Sequence, residues 1–334
     1  MMPPMILAGD VGGTKTLLGL FRAGGDRPAS VLVREYATLD FDSLDDVVGA
    51  FAEETSTTRV DAVSIGVAGP VTGDVARLTN VPWLADISTV AQRFAHCPTL
   101  LLNDLEAMAS SIPVLEPDEL AILQEGIAVP TGNAALMAAG TGLGEALLHN
   151  VGGRFVPAPS EGGHADFAAR NPRELALVAE LLPIYGRVEN ERVISGHGLV
   201  NLFRFTHGTQ DVRRACDVVD GSLDPAELPA AISGSALNHQ CEQCVEALDM
   251  FTEAYGAEAS NVALRSMATA GMYIGGGIAP KILPALERGG FMSAFLDKEP
   301  LIDMLRLLPV RVILNPSAGL LGAAVRAAAN LRDA

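Results

Sequence analysis

The chain has 334 residues, 49% of them hydrophobic and 19% charged, which excludes an intrinsically disordered chain and exceeds what one typical core organises, so two domains or lobes are expected. Forty acidic against 23 basic side chains leave a formal net charge of −17, a balance that argues against nucleic acid or an anionic membrane as partner. No run reaches the roughly 18 apolar residues of a membrane span, and Asp10 interrupts the apolar opening before a signal core forms, so a cytoplasmic location is expected.

The first element is "MILAGDVGGTKTLLGLF", Met5 to Phe21. Two apolar runs joined by glycines predict a β-hairpin with a Gly-rich turn, where positive φ is tolerated. The same turn suits a polyphosphate, because only glycine lets backbone N–H groups approach closely without a Cβ clash. Gly12, Gly13 and Thr14 are the candidate donors, and Asp10 is a candidate Mg²⁺ ligand acting through water. Taken alone, the turn is better read as a purely structural hairpin.

After it, "ASVLVREYAT" reads as a strand, and "SLDDVVGAFAEET" as a helix with Ser43 as its cap and Leu44, Val47, Val48 and Phe51 on one face. "VDAVSIGVAG" and "PTLLLND" read as strands. The second ends in Asn103-Asp104 ahead of a helical segment, and the C-terminal tips of strands are where open α/β sheets place ligands. Asp104 is either a general base for a hydroxyl proton or an N-cap for the next helix.

A second unit begins after "SIPVLEPDEL". "NAALMAAGTGLGEALLHN" repeats the opening design as strand, turn and strand, with Gly140, Thr141 and Gly142 in the turn. Two such turns in separate lobes suit the grip of one polyphosphate from both sides. Neither has P-loop or dinucleotide spacing. "PSEGGHADF" places Glu161 and His164 around two glycines, and "VENERVISGHG" puts Glu191 ahead of another Gly-rich loop. Such groups suit neighbouring sugar hydroxyls, which need donors and acceptors in fixed directions; the alternative is surface charge, with His164 and the two Glu lacking the close spacing of a metal site. "SALNHQCEQCVEALDMFTEAYGAEASNVALRS" reads as one long helix. Its Cys241-x-x-Cys244 would suit zinc or redox chemistry only with further ligands, and with none but His239 nearby the expectation is ordinary thiols. In "ATAGMYIGGGIAPKIL", Gly275, Gly276 and Gly277 end a strand, either to pack against a purine and ribose or to allow a close helix–strand contact.

With these pieces in order, the chain resembles the bacterial glucokinase family of the actin-like, sugar-kinase superfamily. The resemblance runs from Leu7 to about Leu321 through "GDVGGT", "GPVTGDVARLTNVPW", "LLNDLEAMA", "AAGTGLGEALL", "EGGHADF", "ERVISGHGLVNLFR", "GGGIAPKIL" and "NPSAGLLGAA". It implies an α/β fold of two ribonuclease-H-like (actin-like ATPase) lobes with a ligand cleft between them, the small lobe being 1–112 plus 316–334 and the large lobe 113–315. It further implies a homodimer that phosphorylates the 6-hydroxyl of glucose with ATP and Mg²⁺. Asp104 would be the base, Asn103, Asp104, Glu161, His164 and Glu191 would hold the sugar, and the two turns with Gly275 to Gly277 would hold the nucleotide. His197, Ser160 and Lys15 depart from the family pattern in the loops. The rivals are a kinase for fructose, mannose or an N-acetylhexosamine, a non-catalytic sugar-sensing regulator, and a filament protein. The related repressor and kinase family carries a Cys/His zinc cluster, which the sequence pattern here does not show.

Overall fold

A computed structural model describes residues 3–78, 81–209, 216 and 223–333. Along the chain come β1 (Met5–Val11), β2 (Lys15–Arg22), β3 (Ala29–Ala37), α1 (Leu44–Glu54), β4 (Ala62–Val67), β5 (Val71–Thr72), β6 (Val75–Arg77), β7 (Leu84–Asp86), α2 (Ile87–Arg93), β8 (Thr99–Asn103) and α3 (Asp104–Ser111). They are followed by β9 (Leu120–Gln124), β10 (Ala134–Ala139), β11 (Leu143–Val151), β12 (Arg154–Ser160), α4 (Pro172–Tyr185), α5 (Gly196–His207), α6 (Leu228–Leu237) and α7 (Glu242–Ser266). The last elements are β13 (Gly271–Gly275), α8 (Leu283–Glu287), α9 (Gly290–Leu296), α10 (Ile302–Leu307), β14 (Val310–Ile313) and α11 (Ala318–Asp333). These fold as two compact units, one of Met1–Pro117, Phe155–Pro159 and Asn315–Ala334, the other of Asp118–Arg154 and Ser160–Leu314.

In the first unit the main sheet has the order β3-β2-β1-β4-β8. It is antiparallel across β3, β2 and β1 and parallel from β1 through β4 to β8. The opening hairpin forms as expected, in register from Met5 opposite Arg22 to Val11 opposite Thr16. Every residue of β4 is buried, which is why that strand, Ser64 apart, is apolar without alternation. Ser43 caps α1 by accepting the Asp46 N–H at 3.1 Å, and Leu44, Val47, Val48 and Phe51 all point into the core. The last helix lays Leu320, Ala323, Ala324, Ala327 and Ala328 on Ile6, Ala8 and Ala107. Gly322 sets how closely it lies, since a Cβ there would stand 1.7 Å from the Ala107 carbonyl oxygen.

Strands wholly within the second unit run β11-β10-β13-β14-β9. The first pair is the second antiparallel hairpin, Ala134 opposite Leu148 to Ala139 opposite Leu143, and β10, β13 and β14 are parallel. Hairpin followed by two parallel strands is therefore the design of both units. The core behind this sheet is built on α7, whose Phe251 and Tyr255 are fully buried with Phe291 and Phe295 of α9.

One expectation needs correction. The long helix from Ser235 to Ser266 is two helices, because the chain turns at His239, whose φ of 53° is left-handed, and α7 restarts behind Cys241 as N-cap. The turn glycines Gly12, Gly13, Gly140 and Gly142 do not use positive φ. Gly12 answers to space instead, since a Cβ would lie 3.2 Å from the Lys15 carbonyl oxygen that accepts its N–H.

Candidate active site

In the first unit the turn Gly12–Thr14 is held by Thr38. Its hydroxyl donates to the Gly12 carbonyl at 2.9 Å and its N–H to the Thr14 carbonyl at 3.0 Å. That fixes the two carbonyls, while Thr14 itself is exposed. Asp10, at the end of β1, lies against the start of α11, where a Cβ on Gly319 would come within 2.6 Å of its Oδ2. Burial pushes the Asp10 carboxyl up to about 6, offset in part by the Lys15 charge. A desolvated carboxyl at the foot of the Gly12–Thr14 turn is an oxygen ligand of the hard kind Mg²⁺ favours, and the ion would draw this group back to its ionised form.

The two readings of Asp104 separate at the end of β8. Asn103, not Asp104, is the N-cap of α3, its Oδ1 accepting the N–H of Leu105 at 3.0 Å and of Glu106 at 3.4 Å. Its Nδ2 donates to the Gly69 carbonyl at 3.2 Å. Asp104 is the first helical residue, half-buried, with Oδ1 accepting the Leu105 N–H at 2.9 Å. The capping duty is thus discharged by its neighbour. Thr79 and Asn80 of the motif "GPVTGDVARLTNVPW" lie outside the described residues.

In the second unit Glu161, His164 and Glu191 come together around a residue the sequence reading missed. His164 Nδ1 is 3.3 Å from Glu189 Oε2, and its Nε2 is 4.0 Å from Glu161 Oε2. His164, Glu189 and Glu191 each offer a ligand atom within 4.8 Å of the others, closer than their spacing in sequence suggests. Glu189 is almost completely buried and is also paired with Arg187 at 2.8 Å and Arg192 at 3.2 Å. A buried carboxylate with that many cations is a rigid post rather than a surface charge. Glu161 remains three-quarters exposed. His197 is exposed at the start of α5.

Glu191 does a second job. Its Oε2 accepts the Leu143 N–H at 2.8 Å, and a Cβ on Gly142 would stand only 2.5 Å from that oxygen. The Gly140 carbonyl accepts the Gly196 N–H at 2.8 Å. The glycine turn and the Glu191 loop are therefore one connected piece. Behind the turn, the buried Tyr255 hydroxyl accepts the Ala139 N–H at 3.2 Å and lies 3.4 Å from the Gly275 carbonyl. Gly276, at φ 84°, fits against β10, where a Cβ would be 2.3 Å from the Ala139 carbonyl oxygen. That is a close packing of turn on strand, not the helix–strand contact expected as the alternative, and Gly277 has nothing within 4 Å of a Cβ. Glu145 lies beneath the Glu161 loop, buried 2.0 Å from where a Gly162 Cβ would be. Burial and then the nearby Glu258 charge push its carboxyl up to about 7, with Arg265 acting the other way.

The cysteines require a further correction. Cys241 and Cys244 have ligand-type neighbours that the sequence spacing hides: His207 and Cys216 place their ligating atoms within 4.8 Å of both sulfurs.

A glucokinase family model matches residues 7–330. The glucokinase of Nostoc punctiforme is 36% identical over 340 residues, covering 97% of this chain and 99% of that protein. Among solved structures, a glucokinase from an Antarctic psychrotroph superposes with a TM-score of 0.84 at 27% identity, over 97% of this chain and 98% of that one. A ROK family glucokinase from Streptomyces griseus in complex with glucose and AMPPNP shares the fold at a TM-score of 0.65 and 21% identity, over 97% and 99% of the two chains. The two hairpin-led α/β units are those of the actin-like ATPase fold, and a family match of this extent over both of them makes the chain a member of the glucokinase family.

Proposed function

We propose that this chain transfers the γ-phosphoryl group of ATP to the 6-hydroxyl of D-glucose, giving glucose 6-phosphate and ADP. The observation that carries the reading is membership of the glucokinase family over nearly the whole chain. The Streptomyces griseus neighbour, solved with glucose and AMPPNP, supports ATP as the donor.

In phosphoryl transfer a protein contributes mainly position and charge. Asp104 orients the 6-hydroxyl and accepts its proton as the bond to phosphorus forms. Asn103 has its Oδ1 committed to the helix cap and one amide hydrogen to the Gly69 carbonyl, so it offers the sugar its remaining amide hydrogen from a fixed position. Glu161 and Glu191 accept hydrogen bonds from sugar hydroxyls, and His164, its Nδ1 steadied by the Glu189 carboxylate, offers Nε2 as a further acceptor in a fixed direction. Gly13, Thr14, Thr141 and Gly142 hold the phosphates through backbone N–H and hydroxyl donors, Gly12 and Gly140, whose N–H groups go to the Lys15 and Gly142 carbonyls, shape the two turns, and Gly275 to Gly277 flank the nucleoside. Asp10 would hold Mg²⁺ through water, and the ion when bound would neutralise charge on the phosphates. No described helix is long and apolar enough to cross a membrane. We place the enzyme in the cytoplasm as a homodimer, on family resemblance.

The test is ADP release with ATP and a panel of glucose, fructose, mannose and N-acetylated hexosamines. Highest kcat/KM with glucose is expected. A clear preference for another hexose would reassign the substrate, and absence of sugar-dependent ADP with every member would remove the enzymatic reading.

A further inference from the structure

Three of the four cysteines of the chain, brought from two stretches of sequence, meet one histidine in the second unit. His207 is the last residue of α5, Cys241 is the N-cap of α7, Cys244 lies in the first turn of α7, and Cys216 comes from the connection between α5 and α6. We propose that His207, Cys216, Cys241 and Cys244 form a Cys3His site for a structural zinc ion, which ties the end of α5 to the beginning of α7.

The geometry suits a tetrahedron. With Zn–S near 2.3 Å and Zn–N near 2.0 Å, the S···N edge is about 3.5 Å. Cys241 Sγ lies 3.4 Å from His207 Nε2. The ring is also oriented as a metal ligand should be. His207 Nδ1 is 2.8 Å from the Phe203 carbonyl oxygen, and a carbonyl only accepts, so Nδ1 carries the hydrogen and Nε2 keeps its lone pair toward the sulfur. A histidine held by a backbone carbonyl through its other nitrogen is the usual outer partner of a zinc ligand. Cys244 is fully buried and the other three are half-buried, so the cluster is shielded but reachable by an ion.

Four protein ligands leave no open position, which marks a structural site rather than a catalytic one. Eleven residues of helix, about 16 Å, separate His207 from Gly196 at the Glu191 end of α5. On binding, Zn²⁺ takes the three sulfurs as thiolates and the displaced thiol protons pass to solvent, with no change of oxidation state. The competing arrangement is a Cys241–Cys244 disulfide, which would give His207 and Cys216 no part.

The experiment is metal analysis of the full chain, prepared without a histidine tag under reducing conditions, followed by removal of metal with a mercurial and chelator and titration with Co²⁺. About one zinc per chain is expected, and cobalt should give a tetrahedral spectrum with thiolate-to-metal charge transfer. Chelation should lower the thermal midpoint, and zinc should restore it. Cys241→Ser and His207→Gln should lose the zinc and the cobalt charge-transfer band, while Cys97→Ser, in the other unit, keeps both. Should a variant not fold, the cobalt titration of the native chain stands by itself. The proposal is overturned by a reduced native chain that holds no zinc and gives no tetrahedral cobalt spectrum, by zinc retained in Cys241→Ser, or by thiol counting that finds Cys241 joined to Cys244 in the purified protein.

Discussion

Gly142 sits in the turn proposed for nucleotide, yet a Cβ there would first meet the carboxylate of Glu191, proposed for the sugar, so Gly142→Ala should damage the use of glucose. The added Cβ would stand 2.5 Å from Glu191 Oε2, closer than packing permits, and the end of that side chain has to move. Moving it breaks the bond from the Leu143 N–H at 2.8 Å. A hydrogen bond to a charged group contributes about 1.5–3 kcal/mol, and at about 1.4 kcal/mol per decade the expected fall in kcat/KM for glucose is about 10- to 150-fold. The assay is steady-state ADP release against glucose at saturating ATP, for Gly142→Ala, Glu191→Ala and the double variant. If the alanine acts by displacing Glu191, it should cost almost nothing once Glu191 is gone, a strongly non-additive cycle. An unchanged kcat/KM for glucose in Gly142→Ala, or fully additive effects, would refute the reasoning.

The remaining expectations follow from single contacts. Glu145 has its carboxyl raised from an ordinary 4.5 to about 7, which disfavours the ionised form by about 3 kcal/mol. The folded state holds the proton more tightly than the unfolded chain, so this group costs nothing below pH 4.5, the loss grows between pH 4.5 and 7, and it is complete above that. Glu145→Gln should therefore stabilise the protein in urea unfolding at pH 8 but not at pH 4.5, and an equal gain at both would contradict the assignment. Asp10, raised to about 6 by burial, should make KM for MgATP climb as pH falls through 6, and Asp10→Asn should flatten that dependence; a native profile unchanged from pH 5 to 7 would remove Asp10 from the nucleotide site. Gly322→Ala should destabilise the first unit by about 3 kcal/mol, because α11 has to lift from α3. A native urea midpoint in that variant would show that the packing is looser than described.

The sequence made the backbone plan readable wherever the signal was local. Both hairpins follow from apolar runs interrupted by glycine, and Ser43 followed by Leu44, Val47, Val48 and Phe51 announced α1. It placed Asp104 at a strand-to-helix junction without deciding whether it caps, because Asn103 and Asp104 are both good caps, and only the hydrogen bonds of Asn103 assign that duty. What stayed hidden depends on distant residues converging. Glu189 lies in "RVENER", a run of alternating charge that reads as a solvated face, but its partners Arg187, Arg192 and His164 bury it. Tyr255 looks like one more core aromatic until its hydroxyl is seen at the ends of β10 and β13. The Cys/His cluster escaped for the same reason, its ligands being spread from residue 207 to 244 with no compact motif.

Asp104 as the base that accepts the sugar proton is tested most directly by comparing the native chain with Asp104→Asn for glucose-dependent formation of glucose 6-phosphate and ADP, alongside glucose binding by calorimetry. The native chain should form the two products in equal amounts, and the variant should lose at least about a hundredfold in kcat while binding glucose within a few-fold of native. Turnover by Asp104→Asn close to that of the native chain would contradict the account.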